Sequence, residues 1–283
     1  MTQSRLTISD KRRAFRKLHE SGCFIIPNPW DVGSAVYLQS LGFKALATTS
    51  SGLAWAQGRP DNGLPRERVL AHLREMVDAT DVPLNADFEN GFAADAAAIG
   101  ESVRLAVATG VAGLSIEDST GRAAAPLFEL DDAVARLRAA RDAIDAGGAG
   151  TLLVGRAECF IVGRPDLAET IARLRAYANA GADCLYAPGL RTVEQIRAVV
   201  DAVHPKPVNV LMGSPGGPGL TALSQLGVRR VSVGGALSRA AWGGFMSAAQ
   251  ALLRQGNLDG LVPQPTHDDL DALFQPHEIS EYR

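Results

Sequence analysis

LNADFENG, residues 84–91, is a short strand-like run that closes on two acidic residues, and the chain repeats this arrangement. GLSIED at residues 113–118 also ends in carboxylates, and LLVGRAE at residues 152–158 ends in a guanidinium and a carboxylate. In a sheet of parallel strands, side chains that follow the carboxyl ends of neighbouring strands lie at one edge and converge. Proteins usually hold Mg²⁺ there through one or two carboxylates and several waters. The repeated ending therefore predicts a metal-assisted enzyme.

Short apolar runs alternate with longer amphipathic runs along the whole chain, which predicts βαβ units and a parallel sheet. The predicted strands cover 23–27, 45–49, 83–87, 113–117, 152–156, 184–187, 207–211 and 230–233. The predicted helices cover 31–41, 66–79, 95–108, 130–146, 168–180, 193–203, 220–226 and 238–254. Eight such units predict a closed (β/α)8 barrel, for which about 250 residues is typical.

A doubly wound open sheet is the alternative, but residues 27–31 read PNPWD where its glycine-rich dinucleotide fingerprint would stand. We expect one domain over residues 1–283. A helix over 9–20 precedes the first predicted strand, and residues from about 258 to 283 form a C-terminal extension with two Asp-rich turns.

Composition narrows the class of protein. The chain has 283 residues, 46% hydrophobic and 21% charged, as in ordinary globular proteins. A net charge of −3 gives no electrostatic reason to expect nucleic acid or an anionic membrane as a partner. No run approaches the roughly 20 apolar residues that span a bilayer. The polar start lacks a secretory signal and the three cysteines lack CxxC spacing, so we expect a reducing cytoplasm.

The candidate metal ligands are carboxylates at or after predicted strand ends, namely Asp61, Asp87, Glu89 and Glu117. Alternation along a strand is expected to put Asp87 and Glu89 on the same side. Two carboxylates at such a short distance repel each other unless a cation or protons lie between them. For each residue taken alone, a solvated loop carboxylate is the other interpretation.

Three further groups are candidates for binding a substrate anion. Arg156 ends an apolar strand, and its guanidinium needs either a substrate carboxylate or phosphonate or a structural partner such as Glu117 or Glu158. The segment Ser51-Gly52-Leu53 is expected to form a turn whose N–H groups face an oxyanion, unless it is an ordinary turn. Asn209 offers a donor and an acceptor from inside the seventh strand.

These pieces resemble the isocitrate lyase and phosphoenolpyruvate mutase superfamily. The matching segments are SGL at 51–53, GRPD at 58–61, DFENGF at 87–92, IED at 116–118 and VGR at 154–156, in the family's order. The resemblance covers residues from about 15 to about 254. It implies a (β/α)8 barrel that assembles as a homodimer or homotetramer, often with the last helix exchanged between subunits.

The resemblance also implies roles for residues. It implies that Asp87 binds Mg²⁺ (or Mn²⁺) directly, and that Asp61, Glu89 and Glu117 hold the metal largely through water. The amides of residues 51–53 would bind the substrate carboxylate and enolate oxygen, and Arg156 would bind the substrate. Asn209 resembles an asparagine that touches a substrate carboxylate in the lyase branch.

One loop departs from the family. Residues 118–127 read DSTGRAAAPL, without the Lys-Cys-Gly-His of isocitrate lyases or the lysine and asparagine of phosphoenolpyruvate mutases. Residues 186–189, YAPG, also differ from both branches. These departures disfavour strict isocitrate cleavage and strict phosphoryl mutation. The proton donor is left open among Tyr186, Arg122 and metal-bound water.

The expected activity is therefore the shared part of the family's chemistry. We expect a Mg²⁺-dependent carbon–carbon lyase or decarboxylase acting on a small 2-oxo or 2-hydroxy dicarboxylate through an enolate. Cleavage of a P–C bond, as in phosphonopyruvate hydrolysis, is one alternative. A non-catalytic protein that binds 2-oxo acids is the other.

Overall fold

The computed structural model describes residues 5–148, 150–259 and 264–275. Eight strands form one parallel sheet in the order β1-β8-β7-β6-β5-β4-β3-β2, with helices between them. The strands are β1 (Phe24–Ile26), β2 (Leu46–Ala47), β3 (Leu84–Asp87), β4 (Gly113–Glu117), β5 (Leu152–Arg156), β6 (Cys184–Tyr186), β7 (Val208–Leu211) and β8 (Arg230–Ser232). The predicted (β/α)8 barrel is confirmed.

Helices follow each of the eight strands along the chain. The helices are α1 (Ile8–Leu18), α2 (Val32–Ser40), α3 (Ser50–Ala56), α4 (Arg66–Ala79), α5 (Ala96–Ala108), α6 (Leu130–Ala146), α7 (Leu167–Asn179), α8 (Val193–Val203), α9 (Leu220–Gln225), α10 (Ala236–Gln255) and α11 (His267–Phe274). Polar side chains at the first positions start several of them. Asp31, Asp95 and Asp166 each accept a hydrogen bond from an N–H of the first helical turn.

The barrel closes between β1 and β2 without a regular ladder. One backbone bond joins their ends, from the N–H of Ala47 to the carbonyl of Pro27 at 3.0 Å. Asn28 completes the seam: its amide donates to the Thr48 carbonyl, and its Oδ1 accepts from the N–H groups of Val233 and Gly234, all at 2.9 Å. A single side chain thus ties β1, β2 and β8 together at the mouth.

The inside of the barrel changes in character from floor to mouth. An apolar floor, closed by α1, consists of the buried residues Phe15, Ile26, Ala45, Ala47, Ala112 and Leu152. Above it lie the buried polar side chains of Asn85, Ser115, Asn209 and Arg230. At the mouth the strands end on Asp87, Glu117 and Arg156. The alternate residues, such as Leu114, Leu153 and Val210, face the helices and build the main core.

Three local expectations were wrong. Residues 51–53 lie in helix α3 rather than in a turn, because the hydroxyl of Thr49 accepts the N–H of Gly52 and starts the helix. Strand β3 ends at Asp87, and Glu89 has a left-handed backbone with φ of 46°, so alternation does not place its side chain. In the extension, helix α11 stands where an Asp-rich turn was expected. The helix begins with a reciprocal cap between Thr266 and Asp269.

Part of the predicted extension, residues 260–263 and 276–283, lies outside the described residues. Helix α11 packs near α2, where the ring of Phe274 approaches Gly33. Helix α10 is the most exposed of the long helices and carries apolar side chains on its surface: Trp242, Phe245, Met246, Leu252 and Leu253. Over the described ranges, no helix has both the length and the apolar character that crossing a membrane requires.

Candidate active site

A cavity of about 230 Å³ opens at the carboxyl ends of the strands. Six of the predicted residues line it together: Ser51, Asp61, Asp87, Arg156, Tyr186 and Asn209. Glu89 and Leu53 line a much smaller adjoining cavity that also contains Asp87. Glu117 lies behind Arg156 and is only 8% exposed. Asp87 is thus common to both spaces.

Arg156 is the centre of the charged cluster. Its Nη1 lies 3.2 Å from Oδ1 of Asp87 and 3.1 Å from Oε2 of Glu117, and its Nε donates to Oε1 of Glu158 at 2.6 Å. The guanidinium carbon also lies 5.2 Å from the centre of the Tyr186 ring. Both structural partners considered from the sequence are therefore present. In the described chain the remaining group, Nη2, has no hydrogen-bond partner, and Arg156 still lines the cavity.

The acidic side chains around Arg156 outnumber it, and without a further positive charge their ionised forms are disfavoured. Burial, together with the charges of Asp87 and Asp61, raises the pKa of Glu89 to about 8. Burial raises the pKa of Glu117 well above its usual range, against the attraction of Arg156. Because a nearby cation would favour the ionised forms, this cluster is suited to an added positive charge.

The donor set fits a hard divalent cation. Its oxygens come from Asp87, Asp61, Glu89 and Glu117, the ligand type that Mg²⁺ prefers. Among the residues that the structure describes, no three His, Cys, Asp or Glu side chains already converge on one metal position. Mg²⁺ needs only one or two protein carboxylates because it keeps several waters, so a site centred on Asp87 agrees with this geometry.

Asp87 is held in place by backbone and hydroxyl groups. Its Oδ2 accepts the N–H of Ser50 at 3.0 Å, and its own N–H donates to the hydroxyl of Thr48 at 2.9 Å. These contacts come from the β2–α3 connection next door. The carboxylate is therefore fixed before any ligand binds.

The predicted amide donors are less free than expected. The N–H of Gly52 faces the hydroxyl of Thr49 at 3.4 Å, and the N–H of Leu53 donates to the carbonyl of Thr49 at 3.1 Å. Both groups are used by helix α3. Of the three residues, Ser51 lines the main cavity, and its hydroxyl lies 3.1 Å from that of Thr49.

The proton-donor candidates separate in the structure. Tyr186 is buried beside Arg156, and burial raises the pKa of its hydroxyl to about 12, so it is protonated at neutral pH. Arg122 is exposed in the loop between β4 and α6 and does not line the cavity. That loop closes on itself, since the N–H of Thr120 donates to the carbonyl of Pro126 at 2.9 Å.

The sequence identified Glu158 as a possible partner of Arg156, but the residues that hold Glu158 in place were not foreseen. Glu158 is 3% exposed, and its N–H donates to Oδ1 of Asp118 at 2.8 Å. Oδ2 of Asp118 in turn accepts the hydroxyl of Tyr177 at 2.5 Å and Nη1 of Arg173 at 3.2 Å. This chain of contacts orients Glu158 and, through it, Arg156. The only signal in the sequence was the acidic residue placed two positions after Arg156.

Comparison with known proteins agrees with the fold. The sequence model of the phosphoenolpyruvate phosphomutase family matches residues 15–253. A crystal structure from Burkholderia cenocepacia J2315, provisionally assigned as a lyase or mutase, is 46% identical with a TM-score of 0.91, over 95% of this chain and 97% of that one.

Two relatives show the range of the similarity. An uncharacterized protein of Mycobacterium tuberculosis is 30% identical over 94% of this chain and 97% of its own length. The oxaloacetate decarboxylase of Bradyrhizobium sp. (strain ORS 278) is 30% identical over 81% of this chain and 79% of its own length.

Proposed function

The chain belongs to the phosphoenolpyruvate phosphomutase family, within the isocitrate lyase/phosphoenolpyruvate mutase superfamily of lyases, decarboxylases and mutases, and we propose that it is a Mg²⁺-dependent lyase or decarboxylase. Its substrate class is a small 2-oxo or 2-hydroxy dicarboxylate. The observation that carries the proposal is the arrangement of Arg156 and Asp87, which face one cavity at 3.2 Å from each other. Members of this superfamily are generally metal-dependent, and Mg²⁺ or Mn²⁺ fits the oxygen donors here.

A divalent cation at Asp87 would supply charge that polarises the substrate carboxylate and its neighbouring oxygen. The residues of the chain supply the rest. The Nε and Nη1 groups of Arg156 are held by carboxylates, so its Nη2 is left to bind a substrate oxygen and would stabilise the negative charge that develops when a carbon–carbon bond breaks. Tyr186 holds a proton at its hydroxyl and lines the same cavity, which makes it the stronger proton-donor candidate of the two side chains.

Two features support an acyclic diacid rather than a larger ligand. The cavity is small, and most of its lining residues are polar and come from the barrel strands and from residues 48–51. The outer part of the mouth is lined by Arg191 and Arg239, which favour the approach of an anion.

The proposal is tested by screening 2-oxo and 2-hydroxy diacids with Mg²⁺ and measuring pyruvate or glyoxylate. Asp87→Ala is expected to abolish metal-dependent turnover, whereas Asp201→Ala, an exposed change on α8, is expected to retain it. Undiminished activity of Asp87→Ala would refute the metal assignment.

Cleavage of a P–C bond is the second candidate, because the matching family is described as a phosphomutase. Incubation with phosphonopyruvate and measurement of released phosphate separates the two. The relatives of the chain include a 2-methylisocitrate lyase and an oxaloacetate decarboxylase, which favours catalysis over the non-catalytic binding protein.

The assembly and the location of the protein remain proposals as well. We propose a homodimer or homotetramer in the cytoplasm, in which the exposed apolar residues of α10 are covered by a second copy, by helix exchange or by simple packing. Light scattering of Phe245→Asp is expected to show smaller particles than the parent protein.

A further inference from the structure

Arg230 is a buried arginine inside the barrel that the proposed reaction does not yet use. It begins β8, is 3% exposed and lines the same cavity as Asp87 and Arg156. Its side chain crosses the barrel, because Nε donates to Oδ1 of Asn209 on β7 at 2.9 Å and Nη1 donates to Oδ1 of Asn85 on β3 at 3.3 Å. The guanidinium is therefore fixed below the mouth by two amides.

The partners of Arg230 do not neutralise its charge. Both acceptors are neutral amide oxygens, whereas Arg156 contacts three carboxylates and Arg173 contacts Asp118 and Glu169. The buried Arg136 is also held by neutral oxygens, but these are backbone carbonyls and it does not line the cavity. A desolvated charge of this kind is costly unless an anion accompanies it. The cavity beside Arg230 is the place from which a ligand anion can reach it.

The spacing between the two arginine-containing levels matches a short diacid. Asn85, which holds Nη1 of Arg230, is two residues before Asp87 on the same face of β3, a separation of about 6.6 Å along the strand. A four-carbon diacid places its terminal carboxyl carbons about 4 Å apart, and each carboxylate oxygen reaches further. One carboxylate at the level of Asp87 and Arg156 thus leaves the other within reach of Arg230.

We propose that Arg230, with Asn209, binds the distal carboxylate of the substrate and makes the site specific for diacids. This inference rests on the proposed function, whose substrate class it narrows. Asn209 also donates through Nδ2 to the hydroxyl of Ser232 at 2.9 Å, so its Oδ1 is kept turned towards Arg230. The two side chains form a rigid donor group deep in the cavity.

The position of Arg230 favours one of the two bond cleavages. In cleavage of a 2-hydroxy diacid between C2 and C3, the hydroxyl loses its proton, C2–O becomes a carbonyl, and the electron pair of the broken bond passes to C3 and into the distal carboxylate. A proton then adds to C3. The distal carboxylate gains negative charge in this step, and Arg230 stabilises it.

Decarboxylation has the opposite charge requirement. There the bond between C3 and the distal carboxylate breaks, the carboxylate leaves as neutral CO₂, and its electron pair moves to C3 and the C2 oxygen. A guanidinium that binds the distal carboxylate stabilises the reactant more than the transition state. The geometry therefore points to a 2-hydroxy dicarboxylate lyase rather than a decarboxylase.

The test compares malate with lactate as ligands, since they share the 2-hydroxycarboxylate end and differ in the distal carboxylate. Dissociation constants are measured by calorimetry with Mg²⁺ present, for the parent protein, Arg230→Met and Arg230→Lys. We expect Arg230→Met to weaken malate binding by roughly 10- to 100-fold while lactate binding stays within about twofold. Arg230→Lys is expected to recover part of the loss because it restores the charge.

An unchanged ratio of the malate and lactate constants in Arg230→Met overturns the proposal, and so does an equal loss of both ligands, which indicates a structural role. Should Arg230→Met fail to fold, the ratio of the malate and lactate constants in Arg230→Lys is compared with that of the parent protein instead. That variant keeps the charge but not the paired donors, so an unchanged ratio there overturns the proposal. Failure of the proposed function is distinguishable: the parent protein then turns over no diacid with Mg²⁺, although the malate preference persists.

Discussion

Removing the hydroxyl of Tyr177 tests the support behind the active-site arginine. Tyr177 is fully buried, and its hydroxyl donates to Oδ2 of Asp118 at 2.5 Å. In Tyr177→Phe the ring still fills its place, so the cavity cost is small and the loss is that of one hydrogen bond to a buried charged group. Such bonds contribute about 1.5–3 kcal/mol.

The other contacts of Asp118 keep the expected loss of stability within that range. Asp118 keeps two other donors, the N–H of Glu158 at 2.8 Å and Nη1 of Arg173 at 3.2 Å, so its carboxylate is not left unpaired. We therefore expect the free energy of unfolding to fall by about 2 kcal/mol, a factor of roughly 30 in the ratio of folded to unfolded protein.

Equilibrium unfolding in urea, followed by circular dichroism, measures this change. The midpoint is expected to fall with an unchanged slope, because the two proteins expose the same surface on unfolding. The matched control is Tyr37→Phe, whose residue is 48% exposed and whose loss is expected to stay within about 0.5 kcal/mol. A Tyr177→Phe loss no larger than that of the control would refute the supporting role of the Asp118 contacts.

Two further predictions concern stability. Burial, together with the charge of Arg230, lowers the pKa of His19 to about 3 in the folded protein, so the unfolded chain takes up the proton first as the pH falls below about 6.5, and stability decreases. Between pH 7 and pH 5, we expect His19 to lower the free energy of unfolding by about 2 kcal/mol. His19→Gln is expected to remove that part of the pH dependence, measured by urea titrations at several pH values. An unaltered pH dependence would contradict a neutral buried imidazole. Gly155→Ala would place a Cβ 2.9 Å from Cβ of Tyr177, so we expect the free energy of unfolding to fall by about 1–3 kcal/mol. Gly100→Ala in α5, with its nearest atom at 4.0 Å, should raise the free energy of unfolding by about 0.5–1 kcal/mol. Thermal or urea unfolding measures both changes, and equal effects would show that crowding at Gly155 is unimportant.

The parts of the site that lie on strand ends were predictable from the sequence. Asp87 and Arg156 each close an apolar run, and the parallel sheet brings such ends together regardless of the loops that follow. Amphipathic helices were equally accessible: the predicted bounds 66–79, 130–146 and 193–203 coincide with α4, α6 and α8.

What escaped prediction depends on contacts between distant residues. Asp118 pairs with Tyr177 and Arg173, which lie 59 and 55 positions away, and no local pattern joins them. Arg230 at a strand start reads as a solvated residue until its contact with Asn85, 145 positions earlier, is known. The short helix α3 was missed because a hydroxyl cap next to glycine also suits a turn.

The single amide that closes the barrel has a consequence for how the protein is made. Asn28 leaves the ribosome early, but the N–H groups that satisfy its Oδ1 belong to residues 205 and 206 positions later. Because domains emerge from their N-terminal end during synthesis, the barrel of the nascent polypeptide stays open until β8 and the residues after it have been translated. Catalytic competence therefore arises in one late event, when the final strand docks beside the first.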